Sequence, residues 1–417
     1  MGMIINIDQA LVERSRYNVL REPLHEMMRS EQEAWERENP IDFLFNRGTI
    51  STFQETYNST IGFDRAFAET SDFAVGPIFN QAEGFSATYR TRTFQGGFII
   101  TQQTLEDGQY GKIKDEASAF GKRWRADVVD YAMKSLEGAF GKQTVWGDAG
   151  NGGETKIKLD SADTLDGDIT TAIKNPLFTN KHTIVKRKNK TYNFASGASV
   201  SEVSAKTAGS DNQTNLYALD INLASDASNK ISALADAINH VITNMENLKD
   251  DNGKITGVLG AKDIIIPNDA HLKAALNTAL SMDLFDYGDS KYLNPAYKRA
   301  NLKSTPYLND VCGGKVIFIV DKSYNASNHG LEMTERIPFT LDATELKRPS
   351  GIAYDGRQRF DINVATWRGI AAIYLGNVSS VAPSWALDKG MFTVLDVASE
   401  IATPVKVVNT VNTKEQA

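Results

Sequence analysis

The strongest hydrophobic pattern in the chain is a single apolar stripe along residues 112–140. Its members are Ile113, Ala117, Phe120, Trp124, Val128, Tyr131, Leu136 and Phe140, and they recur mostly at intervals of three and four. Such intervals place side chains on one face of an α-helix. The pattern predicts one helix from about Lys112 to Phe140, which is long for a globular protein.

A period-two pattern precedes this helix and predicts an exposed β arm over residues 72–103. Thr88, Arg90 and Arg92 fall on one face of the strand, and Tyr89, Thr91 and Thr93 fall on the other. We expect the tip at Ala82-Glu83-Gly84, and a bulge or bend at Gly96-Gly97. A two-stranded arm has little core and exposes strand edges, so we expect a neighbouring molecule to contact it.

Farther along, the patterns predict a mixed sheet with helices packed on it. A helix is expected where Ile231, Leu234, Ile238, Val241, Met245 and Leu248 form one stripe. A strand DIIIP then leads into a helix AHLKAALNTAL, capped by Asn268 or Asp269, and GGKVIFIV is a second buried strand. The segment RFDINVATWRGIAAIYLG, residues 359–376, is expected to be one long β segment.

The remaining parts of the chain are more polar. Residues 7–38 predict an N-terminal helical arm, or equally a helix pair that caps its own domain. Residues 146–230 are dominated by Gly, Ser, Thr, Asn and Asp, which is typical of a β-rich insertion with long loops. The tail, residues 377–417, is weakly patterned and is expected to be a C-terminal extension.

Composition narrows the possible functions. The 417 residues carry a net charge of -7, which argues against a protein that neutralises DNA phosphates over a broad face. A single cysteine, Cys312, excludes an internal disulfide framework and a Cys-rich metal site. The N-terminus lacks the pattern of a secretory signal, and no apolar run approaches the roughly 20 residues that span a bilayer.

Motifs for catalysis are missing from the sequence. The five histidines are scattered, without metal-ligand spacing, at His25, His182, His240, His271 and His329. We read them as structural, and we expect no catalytic, metal or cofactor site. One basic cluster is a candidate for nucleic-acid contact, or else a solvated strand: Lys181, Lys186, Arg187, Lys188 and Lys190.

The order of these parts resembles the major capsid proteins of tailed bacteriophages with the Hong Kong 97 fold, particularly relatives of the Mu-like head proteins. The resemblance rests on FQGGFIITQQTLEDG before the long helix, on ALADAINHVITNMENLKDDNGKITG before DIIIPNDAHLKAALNTAL, and on YDGRQRFDINVATWRGIAAIYLG. It covers roughly residues 50–376, apart from much of the polar stretch.

The resemblance implies an α+β Hong Kong 97-type fold with a mixed sheet in its axial domain. Its parts would be an N-terminal arm (1–50), an extended β-hairpin E-loop region (51–111), the spine helix of the peripheral domain (112–145), the polar β-rich insertion or enlarged axial-domain surface (146–230), the axial domain (231–345), a peripheral-domain β segment (346–376) and a C-terminal extension (377–417).

The same resemblance implies contacts between subunits through the arm and the β segment. The candidate contact residues are Glu83, Arg90, Arg92, Phe94, Arg357 and Arg359. Some members of the family cross-link an E-loop lysine to a neighbour, but this chain has no lysine before Lys112. We therefore expect no covalent cross-link, and we also expect no N-terminal cleavage and a separate scaffolding protein.

The expected function is a non-enzymatic shell subunit around the double-stranded DNA of a tailed phage. Its partners would be copies of itself in hexamers and pentamers, a scaffolding protein, a portal and an optional decoration protein. Packaged DNA would be contacted only non-specifically, and no membrane would be involved. The location would be the virion, after assembly in the host bacterial cytoplasm.

Three alternatives differ in what they require. An encapsulin-like nanocompartment would enclose a protein cargo. An enzyme with an unrecognised site would show turnover that depends on Cys312 or a histidine. A nucleic-acid-binding module would show steep salt dependence through Lys186 to Lys190.

Overall fold

The structure is a computed structural model that describes most of the chain between residues 39 and 395. The described residues are 39–63, 81–107, 110–142, 144–148, 154–157, 176–193, 199–221, 228–249, 255–287, 290–347, 350–378 and 382–395. The predicted N-terminal helices of residues 7–38 and the end of the tail lie outside these residues.

Six α-helices and eighteen strands are found in the described part of the chain. The helices are α1 (Ile41–Leu44), α2 (Gln102–Glu106), α3 (Tyr110–Gly138), α4 (Ser228–Glu246), α5 (Ala270–Ser281) and α6 (Lys322–Ser327). The first nine strands are β1 (Asn46–Thr49), β2 (Gln54–Phe63), β3 (Gln81–Arg90), β4 (Arg92–Thr101), β5 (Thr144–Asp148), β6 (Glu154–Ile157), β7 (His182–Asn193), β8 (Ser199–Gln213) and β9 (Leu216–Leu219). The others are β10 (Lys262–Pro267), β11 (Leu284–Tyr287), β12 (Ser290–Leu293), β13 (Ala300–Thr305), β14 (Val316–Asp321), β15 (Leu331–Lys347), β16 (Ser350–Val364), β17 (Ile370–Leu375) and β18 (Thr393–Val394).

These elements divide into two compact units. One comprises residues 1–177, 189–203 and 325–367, and the other comprises residues 178–188, 204–324 and 368–417. Each unit combines helices with a sheet that contains both parallel and antiparallel neighbours. The α+β class expected from the sequence is confirmed.

The first unit is built on a four-stranded sheet in the order β1-β15-β16-β4. β15 and β16 form a long antiparallel pair, β4 continues it on one edge, and β1 adds a parallel strand on the other. The long helix α3 packs on one face of this sheet, where Ile113 and Ala117 join Ile100, Ile352 and Tyr354 in one apolar cluster. Burial of these side chains is the main stabilising term for the unit.

The long helix is confirmed almost as predicted, from Tyr110 to Gly138. Its stripe points inward: Ile113, Ala117, Tyr131 and Leu136 are all fully buried. A helix of 29 residues is about 43 Å long at 1.5 Å per residue. Along this length the helix packs against residues of β4, β15 and β16.

The second unit contains a six-stranded sheet in the order β13-β10-β14-β17-β9-β18. Its central strands β10 and β14 are buried along their whole length. Helices α4 and α5 share one apolar core with the sheet, which includes Leu234, Ile238 and Leu276. Asp269 caps α5 by accepting a 2.8 Å hydrogen bond from the Leu272 amide, so the second of the two proposed caps is correct.

The expected single β segment over residues 359–376 is wrong. β16 ends at Val364 in the four-stranded sheet, and β17 begins at Ile370 in the six-stranded sheet. The turn at residues 365–369 separates them. The first half, RFDINV, alternates between polar and apolar residues, and the second half, IAAIYL, is apolar and almost fully buried. Periodicity alone could not separate two strands that follow each other this closely.

Two short segments from stretches that the sequence marks as polar or weakly patterned belong to the six-stranded sheet. β9, inside the polar stretch 146–230, is buried at all four positions and pairs with β17. β18, inside the tail 377–417, pairs with β9. β9 therefore lies inside the six-stranded sheet, and β18 forms one of its edges.

The predicted tip of the arm, Ala82-Glu83-Gly84, is also wrong, because these residues lie inside strand β3. The partner of β3 is β2, which comes from upstream in the chain, and Glu83 pairs with Thr60. Residues 64–80, between the two strands, lie outside the described residues. Gly84 lies instead at a register shift: the pairing moves from Asn58–Ser86 to Thr60–Glu83, so β3 has one residue more than β2 at this point.

The bulge expected at Gly96-Gly97 is not formed, since β4 pairs with β16 in unbroken register from Arg92 to Thr101. The glycines serve close packing instead. A Cβ on Gly96 would lie 3.3 Å from the Trp124 ring, and a Cβ on Gly97 would lie 2.6 Å from the Tyr354 carbonyl oxygen. The distance at Gly97 is too short for any Cβ, and the distance at Gly96 is tighter than most Cβ contacts, so the Trp124 ring would have to shift.

Candidate assembly site at the root of the arm

The arm is the antiparallel pair of β2 and β3, which form a two-stranded sheet of their own. β3 ends at Arg90, and β4 begins two residues later, at Arg92, as part of the four-stranded sheet. Thr91 is therefore the point at which the chain passes from the arm into the body of the unit. We call the residues around this point the arm root.

A small aromatic cluster fixes the arm root. Tyr89 is 1% exposed, and its ring lies 4.6 Å from the Tyr57 ring on the other strand of the arm. The Tyr89 hydroxyl donates a 3.0 Å hydrogen bond to the carbonyl oxygen of His329, and the Tyr57 ring lies 4.3 Å from the His329 ring. With Ala365 packed beside them, these residues form an apolar cluster at the arm root.

The side chain of Asn363 forms hydrogen bonds with the backbone of Arg90, the last residue of the arm. Its side-chain oxygen accepts a 3.3 Å hydrogen bond from the Arg90 amide, and its side-chain nitrogen donates a 3.2 Å bond to the Arg90 carbonyl oxygen. The same nitrogen donates to Thr334 on the neighbouring strand. One carboxamide thus replaces the strand pairing that ends here.

Immediately after the root, Arg92 is tied to the long helix through Asp361. Arg92 Nε lies 3.0 Å from Asp361 Oδ2, and the Tyr131 hydroxyl donates a 2.6 Å hydrogen bond to Asp361 Oδ1. Burial raises the pKa of Asp361, and the Arg92 charge and the Tyr131 hydrogen bond oppose that rise. Burial also raises the pKa of Tyr131, so the phenol remains protonated and donates.

Phe94 continues the connection between the strand and the long helix. Its ring stacks on Phe360 at 4.6 Å and meets Tyr131 edge-on at 4.9 Å. Aromatic pairs at these distances add to the stabilisation that comes from burial. The arm root is therefore rigid where it enters the sheet.

The six candidate contact residues fall into three groups. Arg92 and Phe94 contact residues of their own unit, as described above. Arg90 is exposed, and Glu83 lies on β3 with its side chain outside the described residues. Arg357 and Arg359 lie on the sheet face opposite α3. Their contacts with a neighbouring subunit stay predictions.

His329 of the aromatic cluster also forms an electrostatic pair with Glu332. His329 Nδ1 is 3.5 Å from Glu332 Oε1, and Glu332 is only 7% exposed. Burial raises the pKa of Glu332, while the nearby His329 lowers it. His329 has a φ of 50°, a left-handed conformation that is uncommon for residues other than glycine. The carbonyl that receives the Tyr89 hydrogen bond is thus presented by a strained turn.

The other candidates from the sequence do not converge on one site. His182 is buried beside Asn215, whereas His240 and His271 are exposed on helices, and His25 lies outside the described residues. Cys312 is buried. Within the described ranges, no group of three or more His, Cys, Asp and Glu side chains could hold a metal ion.

The basic cluster is only partly described. Lys181 lies 3.7 Å from Asp388 in an exposed ion pair. Lys186, Arg187, Lys188 and Lys190 lie on β7, and their side chains are outside the described residues. Of the helices in the described parts, none is long and apolar enough to cross a membrane.

Sequence reasoning missed the residues that hold the arm root. Asn363, Asp361 and His329 lie 230 or more positions from their partners in the arm and early helix. The one available signal was the end of β16, where Asp361 and Asn363 alternate with the apolar residues Phe360, Ile362 and Val364.

No protein-family model matches the chain, and no curated protein matches it. Solved structures do resemble it. The "Crystal structure of virus-like particle from Pyrococcus furiosus" is 10% identical with a TM-score of 0.42, and the match covers 84% of this chain and 98% of that one. The "Satellite phage P4 procapsid including size determination (Sid) protein" is 12% identical with a TM-score of 0.42, and covers 92% and 98%.

A third structure, "Mycobacterium phage Patience", is 11% identical with a TM-score of 0.43, and the match covers 91% of this chain and 93% of that one. Each of the three names describes a virus-like particle or a phage.

Proposed function

We propose that this chain is the major capsid protein of a tailed bacteriophage and that many copies assemble into an icosahedral shell around double-stranded DNA. The observation that carries the proposal is the arm, a two-stranded ribbon with a firmly anchored root. Tyr89, Asn363 and Arg92 fix the root, while β2 and β3 extend from it as a sheet of only two strands.

Such a ribbon is unstable in water without a further surface to pack on. Each of its strands also has an edge that no strand in the described residues covers. A neighbouring subunit would supply the missing contacts, and the same arm repeated around a shell would join every subunit to the next. Closed symmetry then limits the size of the particle.

The rest of the first unit fits this role. The long helix α3 packs on the sheet from which the arm leaves, and its Tyr131 is hydrogen-bonded to Asp361 of that sheet. A force on the arm would therefore act on the helix as well as on the sheet. In the terms of the Hong Kong 97 fold, the arm would be the E-loop, α3 the spine helix, and the six-stranded unit the axial domain. Hexamers and pentamers of the chain would form the shell.

The proposal extends to partners and location. A separate scaffolding protein, a portal and an optional decoration protein would act during assembly in the host cytoplasm, and the finished location would be the virion. The contacts would be non-covalent, and Arg90 is the exposed cation of the arm root that would face a neighbour. The net charge of -7 suits a shell that does not trap the DNA it encloses.

The test is to shorten the arm without disturbing its root. Tyr57 and Ala87 are paired in register, as are Asn58 and Ser86. Replacing residues 59–85 by an Asn-Gly turn would close the ribbon just above the aromatic cluster. The full chain and the shortened chain are each expressed with and without phage scaffolding protein, and particles are examined by negative-stain electron microscopy.

We expect closed shells from the full chain, and soluble subunits with an unchanged unfolding midpoint from the shortened chain. The proposal fails if the full chain gives only monomers or small oligomers under all conditions. The role of the arm fails if the shortened chain gives shells of normal size and stability. The contents of the purified particles distinguish two functions: DNA inside indicates a phage head, and a protein cargo indicates an encapsulin-like compartment.

A further inference from the structure

The six-stranded sheet of the second unit ends on one side in β13, and no strand covers its outer edge in the parts of the chain that the structure describes. On its inner side β13 pairs with β10 along all six residues, in parallel register. Asn301 is exposed and Leu302 is half-buried, so the outer edge can be reached from solvent. The backbone N–H and C=O groups along that edge are therefore available to a further strand.

β13 lacks the features that usually keep a free edge from pairing. Proteins protect such edges with a charged side chain, a proline or a bulge. The strand ANLKST contains no proline, and its register with β10 is unbroken. Its one charged side chain, Lys303, is held inwards, because its Nζ lies 2.7 Å from Asp263 on β10. The edge is therefore open to a partner.

Exposed apolar side chains lie near the start of this edge. Met282, Leu293 and Tyr297 are 39%, 78% and 38% exposed. The side chain of Asn294 donates hydrogen bonds to the carbonyl oxygens of Ala279 and Met282, which places these residues together at the end of α5. Tyr297 comes three residues before β13 begins. Apolar groups clustered in this way indicate a contact surface.

The core beneath the edge sets the pattern that a further strand needs. Ala300 and Leu302 of β13 and Ala275 of α5 pack at the margin of the apolar core, each only partly buried. A strand added beyond β13 would cover this margin on its helix-facing side. Alternate residues of that strand should therefore be apolar.

A segment with this pattern occurs near the end of the chain. Residues 396–417 follow the last strand and lie outside the described residues. They include PVKVVNTV, residues 404–411, in which Val405, Val407 and Val411 would share one face of a strand. Valine and threonine favour strands, and a proline is tolerated at the first position.

We propose that residues 404–411 of one copy add as a strand to the β13 edge of a neighbouring copy. The valine face lies on the helix side, beside Ala275 and Leu302. Main-chain hydrogen bonds along the edge supply affinity, and the fit of alternate side chains supplies specificity. Because the contact joins copies of the chain, the inference rests on the proposed function.

The reach of the tail favours a neighbour over the same copy. β18 and β13 are the two edges of the sheet and run in the same direction. A strand beyond β13 lies six strand spacings from β18, about 29 Å. The chain from Leu395 to Val405 spans at most about 35 Å. It would have to cross the end of the sheet almost straight, where the turns Pro306–Leu308 and Val311–Gly314 already lie.

A labelled peptide of residues 402–413 tests the edge in unassembled subunits. The peptide is added to the dilute full-length chain, and binding is measured by fluorescence anisotropy. We expect saturable binding, and at least tenfold weaker binding of a peptide with Val407→Pro, which removes a ladder N–H. Leu293→Lys in the chain should weaken binding at least threefold and leave the unfolding midpoint unchanged, because this side chain is exposed.

Hydrogen exchange tests the same contact in assembled shells. In the original chain, the amides of Ala300–Thr305 should exchange at least tenfold more slowly in shells than in dilute subunits. In a full-length Val407→Pro chain this difference should disappear. The matched control is Lys414→Pro, which places the same substitution outside the valine segment and should behave like the original chain.

The outcomes separate this inference from the proposed function. If the original chain forms no shells, the proposed function fails, and the peptide still tests the edge. If shells form but the peptide does not bind, the inference fails alone. It also fails if β13 exchanges equally slowly in original and Val407→Pro shells, because another segment then covers the edge. Slow exchange in dilute subunits that Val407→Pro accelerates would show that the tail occupies its own sheet, which contradicts exchange between copies.

Discussion

The hydroxyl of Tyr131, in the middle of the long helix, donates a 2.6 Å hydrogen bond to Asp361 on the sheet. The other carboxylate oxygen of Asp361 accepts a 3.0 Å bond from Arg92, two residues after the end of the arm. One carboxylate thus joins the helix, the sheet and the arm root. Any movement of the arm that shifts Arg92 must break this connection or move the helix with it.

Replacement of Asp361 by Asn tests the strength of this connection. The variant keeps the shape of the side chain but loses the charge that pairs with Arg92. Arg92 is 40% exposed and can turn towards water, so the loss should be moderate, about 1–2 kcal/mol in the free energy of unfolding. Urea unfolding of unassembled subunits at pH 7 measures it.

The control for Asp361→Asn is Asp127→Asn on the exposed side of the same helix. Asp127 pairs with Arg123 one turn away, and both side chains are largely in solvent. Such pairs contribute little, so we expect a change below about 0.5 kcal/mol. Equal effects of the two variants would show that Asp361 has no special place in the arm root.

Asn363→Ala should loosen the arm and leave the sheet intact. The variant removes both hydrogen bonds to the backbone of Arg90 and the bond to Thr334. We expect hydrogen exchange to become at least tenfold faster at Tyr89–Thr91 and to stay unchanged in β15. The control is Thr88→Ala, at an exposed position on the arm strand β3, which ends at Arg90. Unaltered exchange at the arm root would mean that the aromatic cluster alone holds it.

Substitution by alanine should change the stability of the chain in opposite directions at Gly97 and at Gly111. A Cβ on Gly97 would lie 2.6 Å from the backbone oxygen of Tyr354, which cannot move without opening the sheet, so Gly97→Ala should destabilise the unit by about 1–3 kcal/mol. A Cβ on Gly111 meets nothing within 4 Å, and this residue is helical. Gly111→Ala should stabilise the chain by about 0.5–1 kcal/mol. Unfolding midpoints in urea measure both, and equal signs would contradict the packing described here.

The elements that the sequence predicted well are those with local periodic signals. The stripe through Ile113, Ala117 and Tyr131 identifies α3 within two residues at each end, because most of its members are buried on one face of the helix. The strand DIIIP and the cap at Asp269 are equally local. These patterns depend only on neighbours along the chain.

Pairings between distant segments could not be predicted in the same way. Nothing near Tyr89 indicates that its strand pairs with Gln54–Phe63 rather than with the residues that immediately precede it. The partners of Arg92 and Arg90 lie about 270 residues away, on β16. Polar side chains such as Asp361 and Asn363 can be recognised as unusual in a strand, but the sequence does not say what they bind.

In the second unit, the buried pair of Lys262 and Asp321 predicts a specific dependence on pH. The Lys262 ammonium donates to Asp321 Oδ2 at 2.8 Å and to the carbonyl oxygens of Val258 and Gly260. Burial opposes ionisation of Asp321, but the hydrogen bonds from Lys262, Tyr324 and Ser323 outweigh it and lower the pKa of that carboxyl. A lowered pKa means that the folded chain binds this proton less tightly than the unfolded chain does.

The pair therefore stabilises the fold above the ordinary carboxyl pKa of about 4, and this contribution is lost as the pH falls through the lower pKa of the folded state. Asp321→Asn alone should cost about 3–5 kcal/mol at pH 7, because it leaves the Lys262 charge buried without an anion. The double variant Lys262→Met, Asp321→Leu removes both charges but also the hydrogen bonds to the Tyr324 amide and to the Val258 and Gly260 carbonyl oxygens. It should therefore cost less than Asp321→Asn at pH 7, about 1–3 kcal/mol, and should lose less stability than the original chain between pH 5 and pH 3. Urea unfolding over this pH range gives the free energy of unfolding of the original chain and of the double variant. The other carboxyl groups are the same in both chains, so their contributions cancel in the difference. Parallel pH profiles for the two chains would show that the pair does not contribute to acid unfolding.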